Sequence, residues 1–413
     1  MLVRMIDYVG NEGGGVRFAA ELLTALAAAN EGARFEVVST GRALGAYRQL
    51  LQGARVPGVR FTDVPPRITA DGWRFDVDEA TLGGCDVAWL PWVHRHRVAD
   101  AYASRVVGSF HDTIVLTEPS LRSIFGRFLA DEEETTARWL ASGARVVVSS
   151  RATVAALGQR FGARPDRFDV IPVSGAHADP ASLSDDVPLP AWTAAPFVLC
   201  PANISPHKNH ETLFAGVARW GARHPLVLTG SGTDLVGSPS ALRRYGRALL
   251  AALKLAGPGR AAQLREAARR LGFRRGESLL PLGYVPDDRY YAMLRRAWAL
   301  VMPTLAEGGG SFPVEEALRF GVPVICSDIP VIREHMERLG AHVLWFAPRD
   351  PAALASRLAE LEGDYPQQKA RAVAQVATLR RRSWSDVASE YGDVFAAVAP
   401  AAPPAGATAA RRA

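Results

Sequence analysis

Short, nearly uninterrupted apolar runs alternate along this chain with segments whose apolar residues recur every three or four positions. In the first half the runs at Leu2–Val9, Phe35–Ser39, Val59–Thr62, Asp86–Leu90, Val106–His111, Arg145–Ser149 and Asp169–Val173 predict strands. In the second half Phe197–Pro201, Leu226–Gly230, Leu279–Gly283, Leu300–Pro303, Val322–Cys326 and His342–Phe346 do the same. Amphipathic stretches such as Val16–Ala29 and Ala130–Ala141 lie between them, and Pro351 to Val398 has a helical pattern. Strands apolar on both faces and separated by helices belong to parallel sheets covered on both sides. The rhythm breaks from Ser174 to Pro196, where Ala178-Asp179-Pro180, Asp185-Asp186 and Pro188-Leu189-Pro190 read as a linker. The expected architecture is therefore two doubly wound α/β domains, residues 1–185 and 190–382. A helix over 383–398 is expected to return to the first domain, and the Ala/Pro tail 399–413 reads as disordered. Ligands of such sheets bind beyond the carboxyl ends of the strands, which makes the cleft between the domains the expected site.

Bulk composition narrows the class. The 413 residues exceed one ordinary core, and 48% hydrophobic with 22% charged residues suit a soluble globular protein. No apolar run reaches the roughly 18–20 residues that span a bilayer. The N-terminus lacks the basic region, apolar core and cleavage site of a signal peptide. A cytoplasmic location is expected, or a peripheral one at the inner face of a membrane. Cys85, Cys200 and Cys326 are far apart and sit in or beside strands, so they read as core residues rather than disulfide or zinc partners. The net charge is +6. The run His94-Arg95-His96-Arg97, with Arg42, Arg48, Arg55 and Arg60 as a looser group, reads either as a solvated rim or as a surface for an anionic membrane or acceptor. No nucleic-acid-binding signature accompanies it.

Candidate chemistry concentrates in residues 307–328, Glu-Gly-Gly-Gly-Ser-Phe-Pro-Val-Glu-Glu-Ala-Leu-Arg-Phe-Gly-Val-Pro-Val-Ile-Cys-Ser-Asp. A strand runs into Gly308, Gly309 and Gly310, and a helix is expected to start near Ser311–Pro313, with Ser311 as cap and Pro313 in its first turn; Ser311 and Phe312 count with the glycines as donor-loop residues. Glycines let backbone amides approach a ligand, and a helix N-terminus favours an anion. Glu307 before the loop and Glu315-Glu316 after it suit the hydroxyls of a sugar. A second loop, Pro201-Ala-Asn-Ile-Ser-Pro-His-Lys-Asn-His210, puts Lys208 at another strand end, where a diphosphate would lie. A third, Gly13-Gly14-Gly15-Val16-Arg17, opens a helix, with Arg17 as an anion ligand.

The order Glu, Gly-rich loop, Pro-Val, Glu-Ala-Leu, Gly-Val-Pro-Val, Ser-Asp resembles the donor-site signature of family 4 retaining glycosyltransferases, which have the GT-B fold of two facing Rossmann-like domains. Val148-Ser-Ser150, Gly230-Ser-Gly232, Leu282-Gly-Tyr-Val-Pro286 and Ser383-Trp-Ser385 follow in the family's order. The resemblance implies that Glu307 lies by the donor sugar, that a second glutamate holds the ribose, and that the amides between contact sugar and diphosphate. The literal seven-residue spacing pairs Glu307 with Glu315, whereas the register of Glu-Ala-Leu favours Glu316. It further implies a phosphate role for Lys208. The partner position five residues upstream, an arginine in the family, is Asn203 here; His207, Arg274 or Arg275 could compensate. Gly14 and Gly15 would close over the phosphate, Gly230 would touch the nucleotide, and Tyr284 and Val285 would contact the base. His111 would face the donor sugar, with Asp112 orienting it. Asp76-Val77-Asp78, the metal motif of the other glycosyltransferase fold, lies far from the donor loop and reads as coincidental.

These residues point to a metal-independent transferase that moves a hexose, of mannose or glucose type, from a GDP- or UDP-sugar to a saccharide or glycolipid hydroxyl. No cofactor or metal is expected, and no nucleic acid. A nucleotide-sugar epimerase or hydrolase on the same plan, or a non-catalytic sugar-nucleotide binding subunit, are the alternatives.

Overall fold

The computed structural model describes residues 1–400 apart from 9–13, 31, 54–55, 57, 69–73, 99, 112, 176–182, 185 and 238–246. The backbone alone is described at 14, 119–120, 122–128 and 247–258. Two compact units emerge. The first comprises Met1–His111, Phe128–Val173 and the residues from Ser383, and the second Asp112–Arg127 and Ser174–Arg382.

The first unit holds ten strands: β1 (Leu2–Ile6), β2 (Arg34–Ser39), β3 (Val59–Asp63), β4 (Arg67–Ile68), β5 (Phe75–Val77), β6 (Val87–Leu90), β7 (His96–Val98), β8 (Val106–Phe110), β9 (Arg145–Val148) and β10 (Phe168–Val170). Seven of them form one sheet in the order β10-β9-β8-β6-β1-β2-β3, and every pairing in it is parallel. Its central strands are apolar throughout because both faces are covered: β6 and β8 are buried at every residue. The chain order reverses between β1 and β6, so the loops after these two strands diverge and leave room for a ligand.

The second unit holds β11 (Val198–Pro201), β12 (Leu226–Thr229), β13 (Leu279–Gly283), β14 (Ala299–Met302), β15 (Val324–Ser327) and β16 (Leu344–Phe346). Its all-parallel sheet has the order β13-β12-β11-β14-β15-β16, with the switch point between β11 and β14. Phe197, Leu199, Phe214, Leu300, Ile325 and Leu354 anchor one continuous core around it.

The helix Trp384–Val398 starts at a capping box, with the Ser383 side chain and the Asp386 carboxylate each bonded to the other's amide. Tyr391 and Phe395 on it are fully buried in the first unit. The Ser109 hydroxyl joins this helix to the sheet, lying 2.9 Å from Tyr391 Oη and accepting from Trp89 Nε1 at 3.1 Å.

A small three-stranded sheet, β4-β5-β7, was not expected. Strands of two or three residues are too short to show a period, and polar His96 hides the pattern. This sheet also takes His96 out of the basic run 94–97, of which Arg97 remains exposed. His96 is fully buried, accepting from the Tyr8 amide at 3.2 Å and bonding the His94 carbonyl at 3.1 Å. His94 is held by Glu132, Arg95 lies over the Phe75 ring and Arg97 pairs with Asp76 at 2.7 Å. Of the looser group, Arg55 lies outside the described residues. Asp76 is thus an ion-pair partner, and Asp78 caps the short helix Glu79–Leu82 through the Thr81 amide. All three cysteines are free and buried, and burial pushes the Cys200 thiol up to about 12, where it is inert.

Candidate functional site

Four loops at the carboxyl ends of β11, β12, β13 and β14 carry the site residues of the second unit. Lys208 follows β11 and Glu307 follows β14, the two strands that flank the switch point. Their side chains meet, Nζ to Oε1 at 2.5 Å, with 18% and 10% exposure. Hydrogen bonds explain why residues so distant in sequence converge. The Asn209 side-chain amide donates to the carbonyls of Pro303 at 2.9 Å and Pro348 at 2.6 Å. The His207 carbonyl accepts from the Leu305 amide at 2.7 Å and from the Thr304 hydroxyl at 3.2 Å. Asn209 adopts φ +54, a left-handed conformation that asparagine tolerates, and it turns the chain into the helix His210–Arg219.

The neighbouring loops are tied in the same way. Gly230 donates its amide to the Gly283 carbonyl at 2.8 Å, and a Cβ on it would come within 2.8 Å of the Asn203 nitrogen. Only glycine fits there. Thr233 bridges the pair, accepting from the Gly283 amide at 2.9 Å and donating to the Gly230 carbonyl at 3.0 Å. Tyr284 is 69% exposed beyond β13 and Val285 is half-buried. Asn203 is exposed, its Oδ1 accepting from the Ser205 amide at 3.0 Å.

The two arginines suggested for charge compensation take different surroundings. Arg274 precedes β13 and is exposed against Glu277, while the Arg275 side chain lies against Gly237, at the end of the short helix Thr233–Gly237 that follows the β12 loop. A cation that sequence reasoning missed reaches the Asn203 loop instead: Arg260 donates Nε to the Ile204 carbonyl at 3.4 Å and pairs with Glu211.

The glycine loop turns through Gly310 at φ +126 into the helix Phe312–Arg319, with Pro313 in its first turn. Ser311 occupies the N-cap position in extended geometry, but its side chain makes no cap bond, contrary to the expected cap. Its amide donates to His335 Nδ1 instead. The adjacent glutamates take different partners. Glu315 is 1% exposed, with His335 Nε2 at 2.9 Å and Arg319 at 3.5 Å. Burial alone would raise its carboxyl, yet His335 and the nearby arginines outweigh that and hold it below the ordinary range. Glu316 is 6% exposed and accepts from Tyr290 Oη at 3.0 Å and Tyr291 Oη at 2.9 Å. Tyr290, Tyr291 and His335 carried no motif in the sequence.

Gly13 and Asp112 lie outside the described residues. Gly14 opens the helix Gly14–Ala29, and Gly15 faces the Trp92 ring, 3.5 Å from where its Cβ would be. Arg17 is half-buried on that helix. His111 ends β8 with its ring 4.0 Å from Phe18, and Nδ1 lies 3.2 Å from the Ser149 hydroxyl. Burial, with the His94 charge second, lowers His111 to about 3. His210 is fully buried and lowered to about 4 by burial, with Arg260 next.

These two histidines predict an acid-sensitive fold. Each folded value lies below the unfolded value of ~6.5, so the unfolded chain binds more protons as pH falls through that window. Stability is full above pH ~6.5 and declines below it, by about 2 kcal/mol per histidine at pH 5. Urea midpoints measured from pH 7 to 5 should fall accordingly, and His210→Leu should flatten the slope.

Residues 239–364 match the family model described as Glycosyl transferases group 1. That span contains Tyr284, the glycine loop and both helix glutamates. The chain is 29% identical over 109 residues to the O-antigen chain mannosyltransferase B of Escherichia coli, a match covering 26% of this chain and 28% of that protein. It therefore spans little more than a quarter of that relative. Among solved structures, HepE of Anabaena in complex with UDP-glucose superposes with a TM-score of 0.66 at 16% identity, over 96% of this chain and 99% of that one. WaaG, a glycosyltransferase involved in lipopolysaccharide biosynthesis, superposes at 0.61 with 14% identity, over 95% and 99%. At such identities the likeness shows the fold, which is that of the GT-B glycosyltransferases. The segment matched by the family model lies within the second unit.

Proposed function

We propose that this protein transfers a hexose from a nucleotide diphosphate sugar to an acceptor hydroxyl, with retention of configuration and without a metal ion. The observation that carries this reading is the meeting of Lys208 and Glu307 at the β11–β14 switch point, beside a glycine loop that opens a helix. Transfer builds negative charge on the departing diphosphate. Lys208, the amides of Gly308–Gly310 and the helix dipole would stabilise it without a bound cation. Glu307 would then hold sugar hydroxyls. Glu316 is the ribose ligand in this reading, its carboxylate positioned by the two tyrosine hydroxyls. Tyr284, exposed on the neighbouring loop, suits a stacking contact with the base. In the first unit His111, Gly15 and Arg17 are candidates for the acceptor half of the reaction.

HepE binds UDP-glucose and the E. coli relative is a mannosyltransferase, so UDP-glucose and GDP-mannose are the donors to test. The same relatives favour a saccharide or glycolipid acceptor. Among the described residues no helix is long and apolar enough to cross a membrane.

A ligand that binds only the folded state stabilises it by about 2.7 kcal/mol at a hundredfold excess over its Kd. UDP-glucose, GDP-mannose or ADP-glucose should therefore raise the melting temperature by several degrees, equally with and without EDTA. A flat response to all three would overturn the reading. A shift abolished by EDTA would overturn metal independence.

A further inference from the structure

We propose that His335 is a positioning residue for the donor loop, and that Glu315 serves it rather than the ligand. The inference rests on the nucleotide-sugar reading of that loop. Ser311, Glu315 and His335 are all buried, with at most 4% exposure. The Ser311 amide donates to His335 Nδ1 at 3.3 Å. That bond requires Nδ1 to be the unprotonated nitrogen, so the proton sits on Nε2 and is donated to Glu315 Oε2 at 2.9 Å. Glu315 thereby holds the ring in the tautomer that the loop needs.

The ring also occupies space that any side chain at position 310 would fill. A Cβ on Gly310 would stand 2.2 Å from His335 Nδ1. The φ of +126 at Gly310 and the imidazole beneath it therefore form one device, which sets the direction of the amides leading into the helix Phe312–Arg319. Behind it, Glu315 is enclosed on another side. Arg319 lies 3.5 Å from its second oxygen, and a Cβ on Gly175 would come within 2.4 Å of its carboxylate. This packing leaves Glu315 no face for a ribose, so the sequence ambiguity between Glu315 and Glu316 resolves into two jobs.

Two substitutions separate loop positioning from general packing. Asparagine places an acceptor where Nδ1 is and loses the bond to Glu315, whereas glutamine places a donor where Nε2 is and loses the bond to Ser311. His335→Asn should keep the donor KM within about threefold of wild type. His335→Gln should raise it at least tenfold, with the acceptor KM unchanged, and should speed amide hydrogen exchange in the peptide containing Ser311. Comparable kinetics and exchange in both variants, or the reverse order, would overturn the role. The donor used is whichever of UDP-glucose, GDP-mannose and ADP-glucose shifts the wild-type melting temperature. If none shifts wild type, the donor reading fails and takes this role with it. If wild type responds and the two variants match it, only the positioning role fails.

Discussion

Replacing Lys208 by alanine is expected to lower the proposed sugar transfer by a factor of about 100 to 1,000 while leaving the fold intact. The magnitude is that of removing one well-aimed donor from a developing anion, about 3–4 kcal/mol. Lys208 is the ammonium brought directly to the glycine-loop side of the switch point, and Asn203 supplies no second charge beside it. Its loss leaves the Glu307 carboxylate, 10% exposed, without its ion-pair partner. That costs stability on the order of 1–3 kcal/mol, because a shielded polar group loses its bond. Lys208→Met with Glu307→Gln removes both charges together and should recover most of the lost melting temperature without restoring activity. Initial rates of nucleotide release in the presence of acceptor, read beside circular dichroism, check both halves. Near-wild-type turnover by Lys208→Ala would remove the lysine from the reaction.

Gly310→Ala is expected to weaken donor binding at least tenfold, again with the domain folded. The backbone at φ +126 is open to glycine alone, and forcing a side chain into it costs about 1–3 kcal/mol. The new Cβ would also stand 2.2 Å from the imidazole below, so ring or loop must move. Either movement redirects the loop amides, and each 1.4 kcal/mol of lost alignment is about tenfold in Kd. Gly363→Ala is the control, since no atom lies within 4 Å of its would-be Cβ and its φ is ordinary. Titration calorimetry with the nucleotide sugar should show the first variant impaired and the second unchanged.

The sheets were legible because their strands are buried on both faces, and an apolar run such as Val106–Phe110 needs no context to be read. The glycine loop was legible for a local reason as well, since three glycines between a strand and a helix have few other uses. Strands β4, β5 and β7 escaped because three residues carry no period, and because His96 is polar in sequence yet satisfied in the core by the Tyr8 amide and a carbonyl. The surroundings of Arg274 and Arg275 were not legible, because sequence proximity to a strand does not say where a long side chain reaches: Arg274 pairs with Glu277, whereas Arg275 lies against Gly237.

Local sequence by itself determined the parallel α/β character of both units, the glycine-rich turn from a strand into a helix and the identity of the charged residues around it. These follow from short-range rules: periodicity, glycine conformations and helix-start chemistry. Only the tertiary structure decided which groups meet. Asn209 latches the Lys208 loop to β14 across 94 residues. Tyr290 and Tyr291 claim Glu316, and His335, 20 residues from Glu315, claims the other glutamate. The physical reason is that a carboxylate's role is set by which donors share its buried environment. Those donors come from separate strands and helices that only the sheet order brings together.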